Sequence, residues 1–168
     1  MKSEYKCIPS FILVLFFCNQ IFHSKASDSN GLGDHIDWQT WQDGLSLAKE
    51  TGKPLMLVLH KSWCPACKSL KLKFAGSEAI DKLSSQFVMV NAKEGEEPMD
   101  ESKFNIDGKY IPRIMFLDSK ENVLSDVIND DGNPQYKYYH MNSESIIKSM
   151  KKVLQMIASG NKKPVDEL

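Results

Sequence analysis

The chain contains one arginine, Arg113, among 21 basic residues, and no stretch in which lysines are interleaved with aromatic side chains. Reading a groove with guanidinium forks and holding a single strand on stacked aromatics both need what is missing, so nucleic acid is excluded as a partner. Cysteine is nearly as scarce. Of four, Cys7 and Cys18 lie within the first 26 residues, leaving Cys64 and Cys67, too few for a disulfide framework. Beyond that segment the histidines are His35, His60 and His140, without the paired spacing of metal ligands, so the two thiols lack the companions of a four-ligand zinc centre. A comfortable membrane span is absent too: the run from Ile8 to Cys18 breaks at Asn19 and Gln20. There are no internal repeats.

That short run is informative in another way. Lys2 and Lys6 precede it, and the small residues Ser24 and Ala26 follow it, which is the pattern of a signal peptide spanning residues 1–26. Its removal takes away three lysines and one glutamate and leaves a net charge of about −3, with no membrane attachment expected after cleavage. At the other end, residues 161–168 form a tail closing on Val165-Asp166-Glu167-Leu168. This resembles the KDEL and HDEL retrieval signals with valine in place of the basic residue. The two ends together predict residence in the endoplasmic reticulum lumen and a KDEL-type retrieval receptor as partner.

Between them, 42% hydrophobic and 26% charged residues suit one globular domain. Residues 27–36 are polar and glycine-rich and read as a flexible lead-in to a domain over 37–160. Asp37 is a plausible cap for a first helix carrying Trp38, Trp41, Leu45 and Ala48, stopped at Gly52. Leu55 to His60 suits a central strand buried on both faces. Cys67, Leu70 and Phe74 share one side of the next helix, with Lys68, Lys71 and Lys73 on the other and Gly76 at its end. Ser77 begins a third helix with Ala79, Ile80 and Leu83 inward, and Phe87 to Val90 reads as a second central strand before a loop over 93–109. Arg113–Leu117 and Val123–Val127 are expected to pair as a hairpin about the turn 118–122, with Pro112 at its mouth. Ser143 is expected to cap a last helix bearing Ile146, Ile147, Met150, Val153, Leu154 and Ile157 and ending at Gly160. The order predicts an α/β fold with a mixed central sheet flanked by helices.

The stretch that carries chemistry is Lys61-Ser62-Trp63-Cys64-Pro65-Ala66-Cys67-Lys68, at a strand-to-helix junction. Two thiols three residues apart can close a small disulfide ring. The unpaired N–H groups of a helix start favour the thiolate, the nucleophilic form, at the first of them. A disulfide serving stability alone is disfavoured, because so short a loop restricts the unfolded chain little. The motif WCPACK, with Ile111-Pro112 further on, resembles the thioredoxin superfamily. KPLMLVLHKSWCPACKSLK, FVMVN, GKYIPRIMFLD and DGNPQYKY are similar to its small endoplasmic reticulum subgroup, that of thioredoxin domain-containing protein 12 and the anterior gradient proteins. The resemblance covers residues 37–158. Some members lack the second cysteine; Cys67 is present here.

The resemblance implies a thioredoxin fold and thiol-disulfide oxidoreductase activity, with Cys64 as nucleophile and Cys67, one turn in, as resolving thiol. It implies client contact at Trp63, Pro65, Ala66, Ile111 and Pro112, where backbone groups of Tyr110 and Ile111 would pair with an extended segment. The expected partners are disulfide-bearing secretory clients; no bound cofactor or metal is expected, glutathione is a small redox partner, and the chain is expected to be a monomer. The alternative is a non-catalytic chaperone or secreted binding module on the same fold. Two departures stand out. The buried acid that thioredoxins carry six residues before the first cysteine is Val58 here, which leaves the proton of Cys67 to water or His60; and Pro65-Ala66 lacks the histidine of the isomerases. His60 is otherwise a packing residue at a strand end. The acidic loop 94–101 matches no calcium-loop spacing and reads as solvated.

Overall fold

Two apolar surfaces have to be covered, because the strand over Leu55–Leu59 (β2) is buried at every position. In the computed structural model, which describes residues 27–99 and 101–160, β2 lies inside a four-stranded sheet. Trp38–Gln39 (β1) and β2 each run parallel to Val88–Ala92 (β3), and Arg113–Leu117 (β4) runs antiparallel to β2, giving the order β1-β3-β2-β4. Met56 and Val58 face one core with Leu70, Phe74, Ile80, Ile146, Met150 and Val153. Those side chains come from the helices Pro65–Ala75 (α2), Glu78–Ser84 (α3) and Ser143–Gly160 (α4). Leu55, Leu57 and Leu59 face a second core with Trp41 and Ala48 of Trp41–Thr51 (α1), Phe104 and Tyr138. A continuous apolar run is what a strand with helices on both sides requires.

Several expectations are corrected. The first helix is capped by Thr40, whose hydroxyl accepts from the Asp43 N–H at 3.2 Å, and not by Asp37. Trp38 belongs to β1 because its backbone pairs with Met89 and its indole N–H donates to the Gly33 carbonyl at 3.0 Å. The two tryptophans consequently enter different cores. Residues 27–36 are not a flexible lead-in: Leu32 and Ile36 are buried in the α2-side core, and the Ser27 N–H donates to the Trp38 carbonyl at 2.7 Å. Within α3, Ala79 is exposed while Ile80 is buried.

The hairpin is reduced to one bridge, Leu117 to Val123, with the Leu124 N–H donating to Phe116. The chain then turns at Ser125–Asp126, and further along β4 the Ile114 N–H is taken by the Tyr138 carbonyl. Two loop segments thus share an edge that one strand was expected to cover. Asn142, not Ser143, caps α4, its Oδ1 accepting from the Ser145 N–H at 2.9 Å. The loop 93–109 contains a 3₁₀ turn at Ser102–Phe104 that buries Phe104. The signal peptide and the 161–168 tail lie outside the described residues.

Candidate redox site

The motif starts where β2 ends and α2 begins. Cys64 is the cap of α2: its backbone is extended, Pro65 occupies the first turn, and its Sγ accepts from the Cys67 N–H at 3.2 Å. Proline suits that place because its missing N–H would have had no helical partner. Cys67, a turn further on, is fully buried, whereas Cys64 keeps 6% exposure. The Cys67 Sγ accepts from the Lys61 N–H at 3.5 Å. Burial, followed by the hydrogen bond with Cys64, pushes the Cys67 thiol up to about 12. Both thiols are free.

Around them, Trp63 is 64% exposed with the Lys61 ammonium 5.2 Å from its ring centroid. Pro65 is exposed, Ala66 and Ile111 are half-buried, and Pro112 is buried. The Ile111–Pro112 peptide bond is cis. Leu59 pairs with Arg113, so the next step along the two chains sets Pro112 beside His60, at the end of the sheet from which the motif departs. Val58 is fully buried between Asn91 and Ile114.

Two residues that local spacing does not single out also build this end of the molecule. Glu94, in the loop read as solvated, reaches back 32 positions: its carboxylate accepts from the Ser62 N–H at 2.9 Å and from the Ser62 hydroxyl. These bonds hold it well below the usual carboxylate range, at about 2, and tie down the turn before Cys64. Arg113 is used inside the protein, its Nη1 donating to the carbonyls of Phe104 and of Gly108 (2.8 Å) and to Asn105 Oδ1 (3.1 Å). Beside it the Tyr110 hydroxyl donates to Asp107 at 2.6 Å and accepts from the Tyr138 N–H at 2.9 Å. The approach to Pro112 is therefore braced by fixed polar contacts. Their only sequence signal is that the single arginine directly follows that proline.

A thioredoxin-like family model matches residues 37–119. The chain is 36% identical to anterior gradient protein 2-B of Xenopus laevis over 130 residues, 77% of each chain. It is 37% identical to human anterior gradient protein 3 over 133 residues, 78% of each chain. In three dimensions it is similar to a thioredoxin from Thermus thermophilus, with a TM-score of 0.54 at 15% identity, covering 79% of this chain and 98% of that one. The first thioredoxin domain of mouse protein disulfide-isomerase A4 is alike at TM-score 0.53 and 16% identity, covering 88% and 89%. The identity of more than a third over three quarters of the chain, on a sheet with the thiols at the start of the helix that follows its central strand, settles the kinship: this protein belongs to the anterior gradient family of thioredoxin-like proteins.

Proposed function

We propose that this protein is a thiol-disulfide oxidoreductase of the endoplasmic reticulum lumen, exchanging disulfides with secretory clients through Cys64 and Cys67 as a monomer, with glutathione as small redox partner. The observation that carries the reading is the inequality of the thiols. Cys67 is buried and held protonated, and it donates its backbone N–H to the sulfur of a cysteine at the helix cap. In the reducing direction, the Cys64 thiolate attacks a client disulfide, forming a Cys64–client bond and releasing one client thiolate. Cys67 then loses its proton and attacks Cys64, closing the Cys64–Cys67 disulfide and releasing the second client thiolate. Glutathione returns the pair to dithiol, and the reverse sequence oxidises clients. Trp63 and Pro65, both exposed, supply apolar surface for a client beside Cys64, and Ile111 and Pro112 form the opposite wall.

Substitution of the thiols tests this. Cys67→Ser should accumulate mixed disulfides with clients in cells, because nothing is left to resolve them, and Cys64→Ser should trap almost none. Non-reducing gels read the adducts. More on Cys64→Ser than on Cys67→Ser would reverse the roles, and none on either would support a non-catalytic binding module.

A further inference from the structure

A chain of polar groups runs from the partly exposed ammonium of Lys93 to the buried imidazole of His60. Lys93 can only donate, and its Nζ lies 3.0 Å from Asn30 Oδ1, so that atom is the acceptor. The Asn30 amide nitrogen then donates to Asn91 Oδ1 at 2.7 Å, and the Asn91 amide nitrogen to the Asp28 carbonyl at 3.0 Å. Asn91 therefore presents an oxygen to His60 Nε2, 3.4 Å away. The contact is long, but a lone pair opposite that oxygen would repel it, so the ring's hydrogen belongs on Nε2. Nδ1 is left with its lone pair. It is buried in a side chain 1% exposed and has no hydrogen-bond partner among the described residues. A buried acceptor without a partner is uncommon, because its hydration is lost with nothing in return.

The position of the ring gives the orphan atom a use. Side chains alternate along β2, so His60 follows Met56 and Val58 on the face covered by α2. The N–H of its neighbour Lys61 contacts the Cys67 sulfur, and Lys71, one turn beyond Cys67 on α2, lies near enough to act on the ring. We propose that His60 Nδ1 is the base that takes the proton of Cys67, and that the chain Lys93–Asn30–Asn91 holds the tautomer that makes it one. The proposal rests on the redox reading above. As Cys67 attacks the Cys64 mixed disulfide, its proton passes through one bridging water to Nδ1, which makes no direct hydrogen bond to the sulfur, the Cys64–Cys67 bond forms and the client sulfur leaves as thiolate; the imidazolium then returns the proton to that thiolate or to water. Burial keeps the ring below the usual histidine range and therefore unprotonated at neutral pH. The Lys71 charge acts in the same direction, while Glu96 and Glu94 from the loop after β3 oppose it. The other charged groups of the cluster, Lys93 and Asp28, are engaged by Asn30.

The experiment follows one turnover of the mature protein with oxidised glutathione, acid-quenched and resolved by mass between pH 5 and 8.5. Formation of the Cys64–glutathione adduct reports the redox reading, and its decay to the Cys64–Cys67 disulfide reports His60. His60→Gln should form the adduct at the native rate and resolve it at least about tenfold more slowly. Its decay should keep rising with pH where the native profile levels off above the ring's titration. Asn30→Gly tolerates the local backbone (φ 51°) and removes the side-chain bonds to Asn91, Lys93 and the Asp28 carbonyl while leaving both cysteines and His60 in place; it should slow decay severalfold with formation unchanged. A native decay rate and profile in folded His60→Gln, or in Asn30→Gly should the first variant fail to fold, overturns the proposal. A native protein that forms no adduct overturns the redox reading along with it.

Discussion

Cys64 and Cys67 differ because the first turn of α2 has one sulfur at the helix cap and the other against the sheet. Capping gives the Cys64 sulfur a backbone N–H, and burial denies the Cys67 sulfur the water that would stabilise its charge. The same logic makes Val58 a sensitive position. It is fully buried on the α2 side of β2, so Val58→Glu puts an unpaired carboxyl into an apolar core at a cost of about 2–4 kcal/mol, measurable by denaturant unfolding. If His60 handles the Cys67 proton, the new carboxyl should add little to turnover in the native background. In His60→Gln it should restore much of the lost rate. Equal effects in both backgrounds would show that the two groups do not share a role.

Among the elements, α4 closes the core on the α2 side, and its start distinguishes two adjacent candidates. Asn142 accepts the Ser145 N–H through its side chain, and the helix proper begins at Ser143. Asn142→Ala should therefore lower stability by about 1 kcal/mol, while Ser143→Ala should change it by no more than a few tenths. Thermal melts of the two variants decide this; the opposite order would move the cap to Ser143. The edge of β4 is shared between the 123–124 and 138 segments, so a long unpaired strand is not left open to other chains.

At the scale of the whole molecule, His140 ties the segment after Tyr138 to α4. Its Nδ1 donates to the Tyr138 carbonyl at 3.2 Å, and its Nε2 accepts from the Ser149 hydroxyl at 2.9 Å. Burial lowers its pKa to about 4. A base with a depressed folded-state pKa stays neutral in the native protein while the unfolded chain takes up a proton, so stability is lost as pH falls from about 6.5 to 4. The loss reaches about 3 kcal/mol for His140, and His60 shifts in the same direction. Urea unfolding at pH 7 and 4.5 should show the decline, and His140→Gln should remove most of it. Deleting Val165–Leu168 should move the protein from cells to medium, and equal secretion of intact and truncated forms would mean that the tail is not a retrieval signal.

Local order was readable because its causes are local. The buried run of β2, the thiols at a strand-to-helix junction, the serine cap before α3 and the amphipathic α4 each arise from residues a few positions apart, whose periodicity and capping chemistry act within one or two turns. Ser143 against Asn142 was not separable in this way, since adjacent polar residues compete for neighbouring N–H groups and packing chooses between them, and Asp37 lost the first cap because Trp38 and Gln39 pair with β3 and delay the helix to Thr40. Val123–Val127 has the composition of a strand, but Tyr138 takes the Ile114 N–H that pairing would have used. The fastening of Ser62 by Glu94 and the link from Lys93 to His60 join residues up to 63 positions apart. Such contacts impose no period on the chain, because the partners meet only after the sheet has brought β3 beside β2 and folded residues 27–36 over them.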